Sequence, residues 1–135
     1  MKSPQAIVEH MLQQDAFSQL LAMEVLEINA GYCVLRCPVT ETSTNGFGIA
    51  HGGLSYALAD SALAFASNAY GAQCVSIDTN ISHLAKVQLN DVLTATCTEV
   101  HRGKRTGVYE VRIENQAHKL VAFFRGTVFI STQNW

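Results

Sequence analysis

The stretch from Asn45 to Ala69 constrains the fold more than any other part of the sequence. It begins as a polar loop rich in glycine and continues, beyond Gly52 and Gly53, as an apolar segment rich in alanine. A helix that is apolar on nearly all sides is a buried helix, so this segment predicts a central helix that the remaining chain surrounds. The only side chain within the apolar segment that is charged at neutral pH is that of Asp60. A lone buried carboxylate costs free energy unless another group pairs with it or uses it, so we expect Asp60 to have a function.

Gly52 and Gly53 mark the junction between the loop and the predicted helix. The first backbone N–H groups of a helix have no acceptor within the helix, and the helix dipole places positive potential at the same end. The start of the helix is therefore predicted to bind a negatively charged oxygen.

Composition narrows the class of protein. A chain of 135 residues predicts one domain, and its 48% of hydrophobic residues suit a compact core. A formal net charge of -2 gives no attraction for nucleic acid. The apolar segment is shorter than the ~20 residues of a membrane-spanning helix, so no membrane partner is expected. The four cysteines show no metal-ligand spacing and the N-terminus shows no signal-peptide pattern, which together predict buried thiols, no metal and a cytoplasmic protein.

The hydrophobic pattern predicts short helices first, then an α+β arrangement. Residues 1–22 form an N-terminal helical segment in which Ser3-Pro4 suits a helix start and the periodicity breaks near Asp15. Alternation and turn residues predict a hairpin over residues 23–38 and strands over 73–84, 91–101, 105–115 and 119–130. The last strand is apolar on both faces, which places it centrally in a sheet or in an interface. An antiparallel sheet wrapped round one long helix leaves its outer face uncovered, and we expect a second copy of the chain to cover it.

Several motifs resemble those of the hot-dog fold thioesterases, in particular the PaaI-like branch named after phenylacetic acid degradation. Asn45 precedes His51-Gly52-Gly53, Asp60 follows His51 by nine residues, and two later blocks at 103–109 and 121–126 also fit. The resemblance extends from about residue 23 to 130 and implies one hot-dog domain over residues 1–135. It implies hydrolysis of an acyl- or aryl-acetyl-coenzyme A thioester without a metal or cofactor, since coenzyme A belongs to the substrate. It also implies dimers that pair into homotetramers.

The resemblance assigns a role to each motif residue. Asp60 matches the catalytic carboxylate, acting as general base or as nucleophile, and the Gly52 N–H matches the oxyanion donor. Asn45 and His51 match residues that orient water and thioester, and Ser76 matches a serine that assists in some members. The basic hairpin is predicted to clamp the coenzyme phosphates. The residues of this hairpin are Arg102, Gly103, Lys104, Arg105 and Thr106. Together with Gly53 they form the predicted substrate-binding set.

One segment departs from the bacterial phenylacetyl-type members. The Asp-Phe-Leu-Arg-Pro-Gly common there is replaced by Ser82-His83-Leu84-Ala85-Lys86-Val87. This difference leaves the preferred acyl group open. The aromatic residues do not decide it either, since Phe47, Tyr56, Phe65 and Tyr70 suit an aromatic or an aliphatic pocket equally well.

Helix geometry adds an expectation about the site. If the helix begins near Gly52, Asp60 lies about 12 Å further along the axis, at ~1.5 Å per residue. Water held by Asp60 is then too far from a carbonyl held by Gly52 of the same helix. One site can use both groups only if a second protomer supplies one of them, which predicts an intimate dimer.

Other interpretations of the same residues remain open. Asn45 beside a glycine also suits a turn, His51 a helix cap, and Asp60 a structural carboxylate. The alternative functions are a non-catalytic acyl-CoA-binding hot-dog protein and a hot-dog enoyl-thioester hydratase. The hydratases pair an aspartate with a histidine a few residues downstream, whereas here the next histidine after Asp60 is His83.

Overall fold

A computed structural model of the chain describes residues 2–135. Two short helices, α1 (Pro4–Gln14) and α2 (Ala16–Leu20), precede the hairpin formed by β1 (Glu24–Asn29) and β2 (Tyr32–Pro38). A 3₁₀ turn at Glu41–Ser43 leads to the long helix α3 (Gly52–Asn68). Four strands follow, which are β3 (Ala72–His83), β4 (Val92–Arg102), β5 (Thr106–Glu114) and β6 (Leu120–Asn134). The expected hairpin, helix and four strands are all confirmed.

All six strands form one antiparallel sheet in the order β1-β2-β4-β5-β6-β3, which curves round α3. The apolar helix is buried as predicted, with Leu58, Ala59 and Ala62 fully inaccessible. At Gly126 on β6, a Cβ atom would lie 2.6 Å from Cδ2 of Leu63, so only glycine lets the helix approach the sheet this closely. This close contact fixes α3, and with it Asp60, against the inner face of the sheet.

The N-terminal segment packs on α3 and breaks where the sequence predicted. Ser3 caps α1 by accepting the N–H of Ala6 at 3.1 Å, and Pro4 is its first residue. Asp15 separates the helices and caps α2, with its Oδ1 accepting the Ser18 N–H at 2.9 Å. The Ser18 hydroxyl also lies 2.8 Å from that of Ser61 on α3. Since Ser61 follows Asp60 directly, α2 is held beside the predicted catalytic carboxylate.

The strand order shows where the last strand lies in the sheet. β6 lies between β5 and β3, so it is central, while β3 forms an edge of the sheet. The regular alternation expected along β3 is wrong in its middle, because the pairing register with β6 shifts between Ser76 and Asp78. Val75 and Ile77 on this edge are 64% and 59% exposed, although both are strongly apolar. Within residues 2–135, no helix is long and apolar enough to cross a membrane.

Candidate active site

The start of α3 distinguishes the two glycines that follow His51. His51 is the N-cap, and its Nδ1 accepts the N–H of Gly53 at 2.8 Å. Accepting at Nδ1 places the ring proton on Nε2, which leaves that position free to donate. Across residues 2–135 the N–H of Gly52 has no acceptor within hydrogen-bonding distance. The open donor at the helix start is therefore Gly52, the residue that the motif predicts for an oxyanion.

The loop before α3 fixes the position of Asn45. The Oδ1 of Asn45 accepts the N–H groups of Phe47 at 2.9 Å and Ile49 at 3.4 Å, which makes it a turn-forming residue. The loop closes through the His51 N–H, which donates to the carbonyl of Ser43 at 2.8 Å. No acceptor within residues 2–135 binds the side-chain NH₂ of Asn45, so that group remains available to a ligand. The turn interpretation and the catalytic interpretation therefore use different atoms of one side chain.

Asp60 and Ser76 meet in one cavity of about 250 Å³ between α3 and β3. The carboxyl group of Asp60 is half-buried in the middle of α3. Burial raises the pKa of Asp60 above its usual value, and the nearby Asp15 carboxylate raises it further. A carboxylate with a raised pKa is a stronger proton acceptor once ionised, which suits a general base.

Asp60 also opens into a second, larger cavity of about 550 Å³. Its walls are mostly apolar or aromatic and come from the N-terminal segment, from α3 and from the C-terminus, with Met11, Phe17, Tyr56, Phe65 and Trp135 among them. Tyr56 is held by a hydrogen bond to Thr79 and by an edge contact with Phe124. The lining includes two of the four aromatic residues left open by the sequence, Tyr56 and Phe65, whereas Phe47 is 89% exposed elsewhere.

The sequence did not single out His83 as a site residue, yet the fold places it against Gly52. A Cβ atom on Gly52 would lie 3.2 Å from Nε2 of His83, so the imidazole sits directly beside the helix start. Both residues line a cavity of about 390 Å³ together with Ser55 and Lys86. No spacing signal reveals this contact, because 31 residues separate Gly52 from His83 and only the return of β3 past α3 joins them.

The basic hairpin between β4 and β5 divides into an anchored and a free part. Nη1 of Arg102 donates to the carbonyl of Ser67 at 3.2 Å and to the hydroxyl of Tyr109 at 3.0 Å. Its guanidinium also lies 4.0 Å from the ring centroid of Tyr70. Arg102 is thus occupied at the end of α3, whereas Lys104 and Arg105 are exposed and form no ion pair with any residue from 2 to 135.

The predicted site residues divide between a group at Gly52 and a group at Asp60 within one chain, although Gly53 lines the larger Asp60 cavity. Gly52 and His83 line the cavity of about 390 Å³. Asp60 lines both the 250 Å³ cavity that contains Ser76 and the 550 Å³ cavity that contains Phe17. The cavity of Gly52 and the cavity of Ser76 share no residue. Eight residues of continuous helix place Gly52 and Asp60 about 12 Å apart along the axis. A further cavity of about 760 Å³ between α1 and β1 contains none of the predicted site residues.

Comparison with known proteins identifies the relatives of this chain. The sequence pattern of the thioesterase superfamily matches residues 47–122. Acyl-coenzyme A thioesterase PaaI of Escherichia coli K12 is 39% identical over 116 residues, or 86% of this chain and 83% of the relative. Human acyl-coenzyme A thioesterase 13 is 30% identical over 130 residues, 93% of each chain. The structure of the E. coli PaaI protein from the phenylacetic acid degradation operon matches with a TM-score of 0.95 and 34% identity, covering 97% of this chain and 95% of that one.

Proposed function

The chain belongs to the thioesterase superfamily and has its hot-dog fold, and from this premise we propose that it hydrolyses acyl-CoA thioesters to a carboxylic acid and free CoA. The observation that carries the proposal is the half-buried Asp60 facing an apolar cavity, in the motif position of the catalytic carboxylate. We propose that no metal or cofactor takes part, because the residues present supply both a proton acceptor and an oxyanion donor.

The proposed reaction divides the work between the two groups of residues. Attack on the thioester carbonyl places negative charge on its oxygen, which the open N–H of Gly52 stabilises; one such donor is typically worth ~10²–10³ in rate. Ionised Asp60 accepts the proton of the attacking water, a role worth roughly 10²–10⁴, or attacks the carbonyl carbon itself to form an anhydride that water then hydrolyses. In both routes the C–S bond breaks as the carbonyl re-forms, and CoA leaves as a thiolate that takes up a proton. The free Nε2–H of His51 and the free NH₂ of Asn45 orient the thioester, and Ser76 lies beside Asp60 to hold the water.

A panel of thioesters tests the proposal. Phenylacetyl-, hydroxybenzoyl-, short-, medium- and long-chain acyl-CoAs are incubated with the protein, and free thiol is measured over time. We expect at least one member to turn over repeatedly. Binding detected by calorimetry with no thiol released from any member would instead favour a non-catalytic acyl-CoA-binding protein.

The cavity beside Asp60 supports the proposal that the substrate carries an aryl-acetyl or similar apolar acyl group. Phe17, Tyr56, Phe65 and Trp135 line a volume of about 550 Å³, which suits a flat ring or a short chain. We infer that α2 acts as the wall of the acyl pocket, because Phe17 and the Asp15–Ser18 pair both lie at this cavity. A place in phenylacetic acid degradation is proposed on this ground and on the likeness to the E. coli protein.

A dimer is proposed to assemble each active site. The edge strand β3 leaves its outer backbone groups unpaired and exposes Val75 and Ile77, a combination that favours pairing with another strand. A second copy would also bring Gly52 of one chain toward Asp60 of the other. The further pairing of dimers into a homotetramer rests on the family resemblance, and light scattering after gel filtration measures it. Four buried free cysteines support a reducing, cytoplasmic location.

Removing the two free cations of the hairpin is expected to weaken coenzyme binding. Lys104→Ala with Arg105→Ala should raise KM for acyl-CoA, because exposed and unpaired cations are available to the phosphates. Hydrolysis of a short acyl thioester without the nucleotide should barely change. Steady-state kinetics on both substrates measure the difference, and equal effects on the two would exclude the clamp. Arg112→Ala with Lys119→Ala is the matched control, because it also removes one arginine and one lysine from exposed positions.

Neutralising Asp15 is expected to shift the pH dependence of turnover. The Asp15 carboxylate raises the pKa of Asp60, so Asp15→Asn should lower that pKa. The acid limb of the kcat/KM profile, where Asp60 becomes protonated and loses its role as base, should then move to lower pH. Asparagine retains the oxygen that caps α2, so the helix should persist. An unchanged acid limb would show either that Asp60 does not set it or that Asp15 does not influence the pKa of Asp60.

A further inference from the structure

We propose that His83 is a second oxyanion donor, hydrogen-bonding the thioester carbonyl oxygen alongside the N–H of Gly52. The inference rests on the proposed function and deepens it, because it adds a residue from outside the motif that identifies the family. Position 83 lies within residues 82–87, where this chain differs from the phenylacetyl-type members, so the donor would distinguish this chain from them.

The geometry carries the proposal. Nε2 of His83 lies 3.2 Å from the point where a Cβ of Gly52 would stand. A Cβ is ~2.5 Å from the backbone nitrogen of its own residue, so the two nitrogens are at most about 5.7 Å apart. One oxygen placed ~2.9 Å from each donor spans up to about 5.8 Å between them. The distances therefore allow a single carbonyl oxygen to lie within hydrogen-bonding reach of both nitrogens.

The surroundings of His83 leave its ring free for this role. The side chain is exposed and makes no hydrogen bond within residues 2–135. Its backbone is fixed, because His83 pairs with Ala122 at the end of β3 and the next N–H, of Leu84, donates to Val121 at 2.8 Å. The fixed backbone limits where the ring can lie, and its unengaged nitrogens leave it able to donate to a ligand.

Glycine at position 52 is consistent with the same arrangement. A methyl group there would stand 3.2 Å from Nε2 and 3.3 Å from Cε1 of His83, and would fill the space between the two donors. Lys86 lines the same cavity and is the rival donor, since its ammonium group also carries N–H bonds. The experiment must therefore separate the histidine from the lysine.

Two substitutions at position 83 test the proposal by kinetics. His83→Phe removes the donor and keeps a ring, whereas His83→Gln keeps a side-chain N–H at similar reach. We expect His83→Phe to lower kcat at least ~10-fold with little change in KM, because removal of one oxyanion donor typically costs ~10²–10³ and Gly52 remains. His83→Gln should retain a substantial part of the activity. His118→Asn, which removes a histidine from an exposed turn, should behave as wild type.

A spectroscopic reading tests the same hydrogen bond without turnover. Acyl-CoA with a ¹³C-labelled carbonyl is bound to Asp60→Asn protein, and the infrared band of the thioester carbonyl is recorded with and without His83→Phe. Losing a donor should move the band to higher wavenumber. No shift, or a shift caused by Lys86→Met instead, would overturn the proposal. A wild-type protein that hydrolyses no thioester would refute the proposed function, whereas normal turnover in His83→Phe would refute only the role of His83.

Discussion

Asp60→Asn is expected to lower turnover by at least ~10² while leaving substrate affinity nearly unchanged. Asparagine fills the same space beside Ser76 but accepts no proton from water at neutral pH. Single-turnover rates with calorimetric binding of the same acyl-CoA measure the two effects separately. Near-normal turnover would remove Asp60 from the role of base or nucleophile.

The same substitution should also stabilise the fold. Burial raises the pKa of Asp60 in the folded protein, so ionisation costs stability as the pH rises from the unfolded pKa, ~3.9, through the higher folded value. Asp60→Asn removes this cost, so its Tm at pH 7 should exceed that of wild type. The difference should vanish at pH values below the unfolded pKa. A lower Tm at pH 7 would show that the carboxylate makes a stabilising contact instead. Such an exchange of stability for activity is common at catalytic sites.

Two inactive variants are expected to restore activity when mixed, if each site uses both chains of a dimer. One variant carries Asp60→Asn, and the other carries Asn45→Asp with His51→Asn. The second pair keeps oxygen acceptors for the Phe47 and Gly53 N–H groups, so the loop and the helix cap should persist. Each protein alone should be nearly inactive, because every one of its sites is defective.

In a mixed dimer, one site collects all the substitutions and the other collects none. Random subunit exchange makes about half of the dimers mixed, so about a quarter of wild-type activity should return. A site built within one chain cannot recover, because every chain carries a defect. If mass spectrometry confirms mixed dimers and activity stays absent, the shared-site arrangement is wrong. Asp60→Asn mixed with itself serves as the control for handling losses.

Sequence reasoning recovered the fold because hydrophobic periodicity is a local property. The alanine-rich segment predicted α3, in which Leu58, Ala59 and Ala62 are fully buried. The bulge between Ser76 and Asp78 was not predicted, since it depends on how β3 pairs with β6 and not on the composition of β3.

The candidate site was only partly predictable for the same reason. Asp60 and Gly52 stand out because each interrupts a local pattern, one as a charge and the other as a helix start. His83 has no local signal, because its position beside Gly52 arises from the return of a distant strand. The basic hairpin looks uniform in the sequence, yet the fold commits Arg102 to Ser67 and Tyr109 and leaves Lys104 and Arg105 free. Tertiary contacts, rather than residue types, separate these roles.

Hydrolysis of an acyl-CoA in ¹⁸O-labelled water tests the central claim most directly. Wild-type protein and Asp60→Asn are each given the best member of the thioester panel for many turnovers, and acid and CoA are quantified by mass spectrometry. The account predicts that wild type releases free CoA and acid in equal amounts, with one ¹⁸O in each acid molecule, and that Asp60→Asn is slower by at least ~10². An intact thioester would contradict it and indicate binding without hydrolysis. A parallel incubation with an enoyl-CoA that yields a hydroxyacyl-CoA carrying the label on its acyl chain would indicate hydration instead.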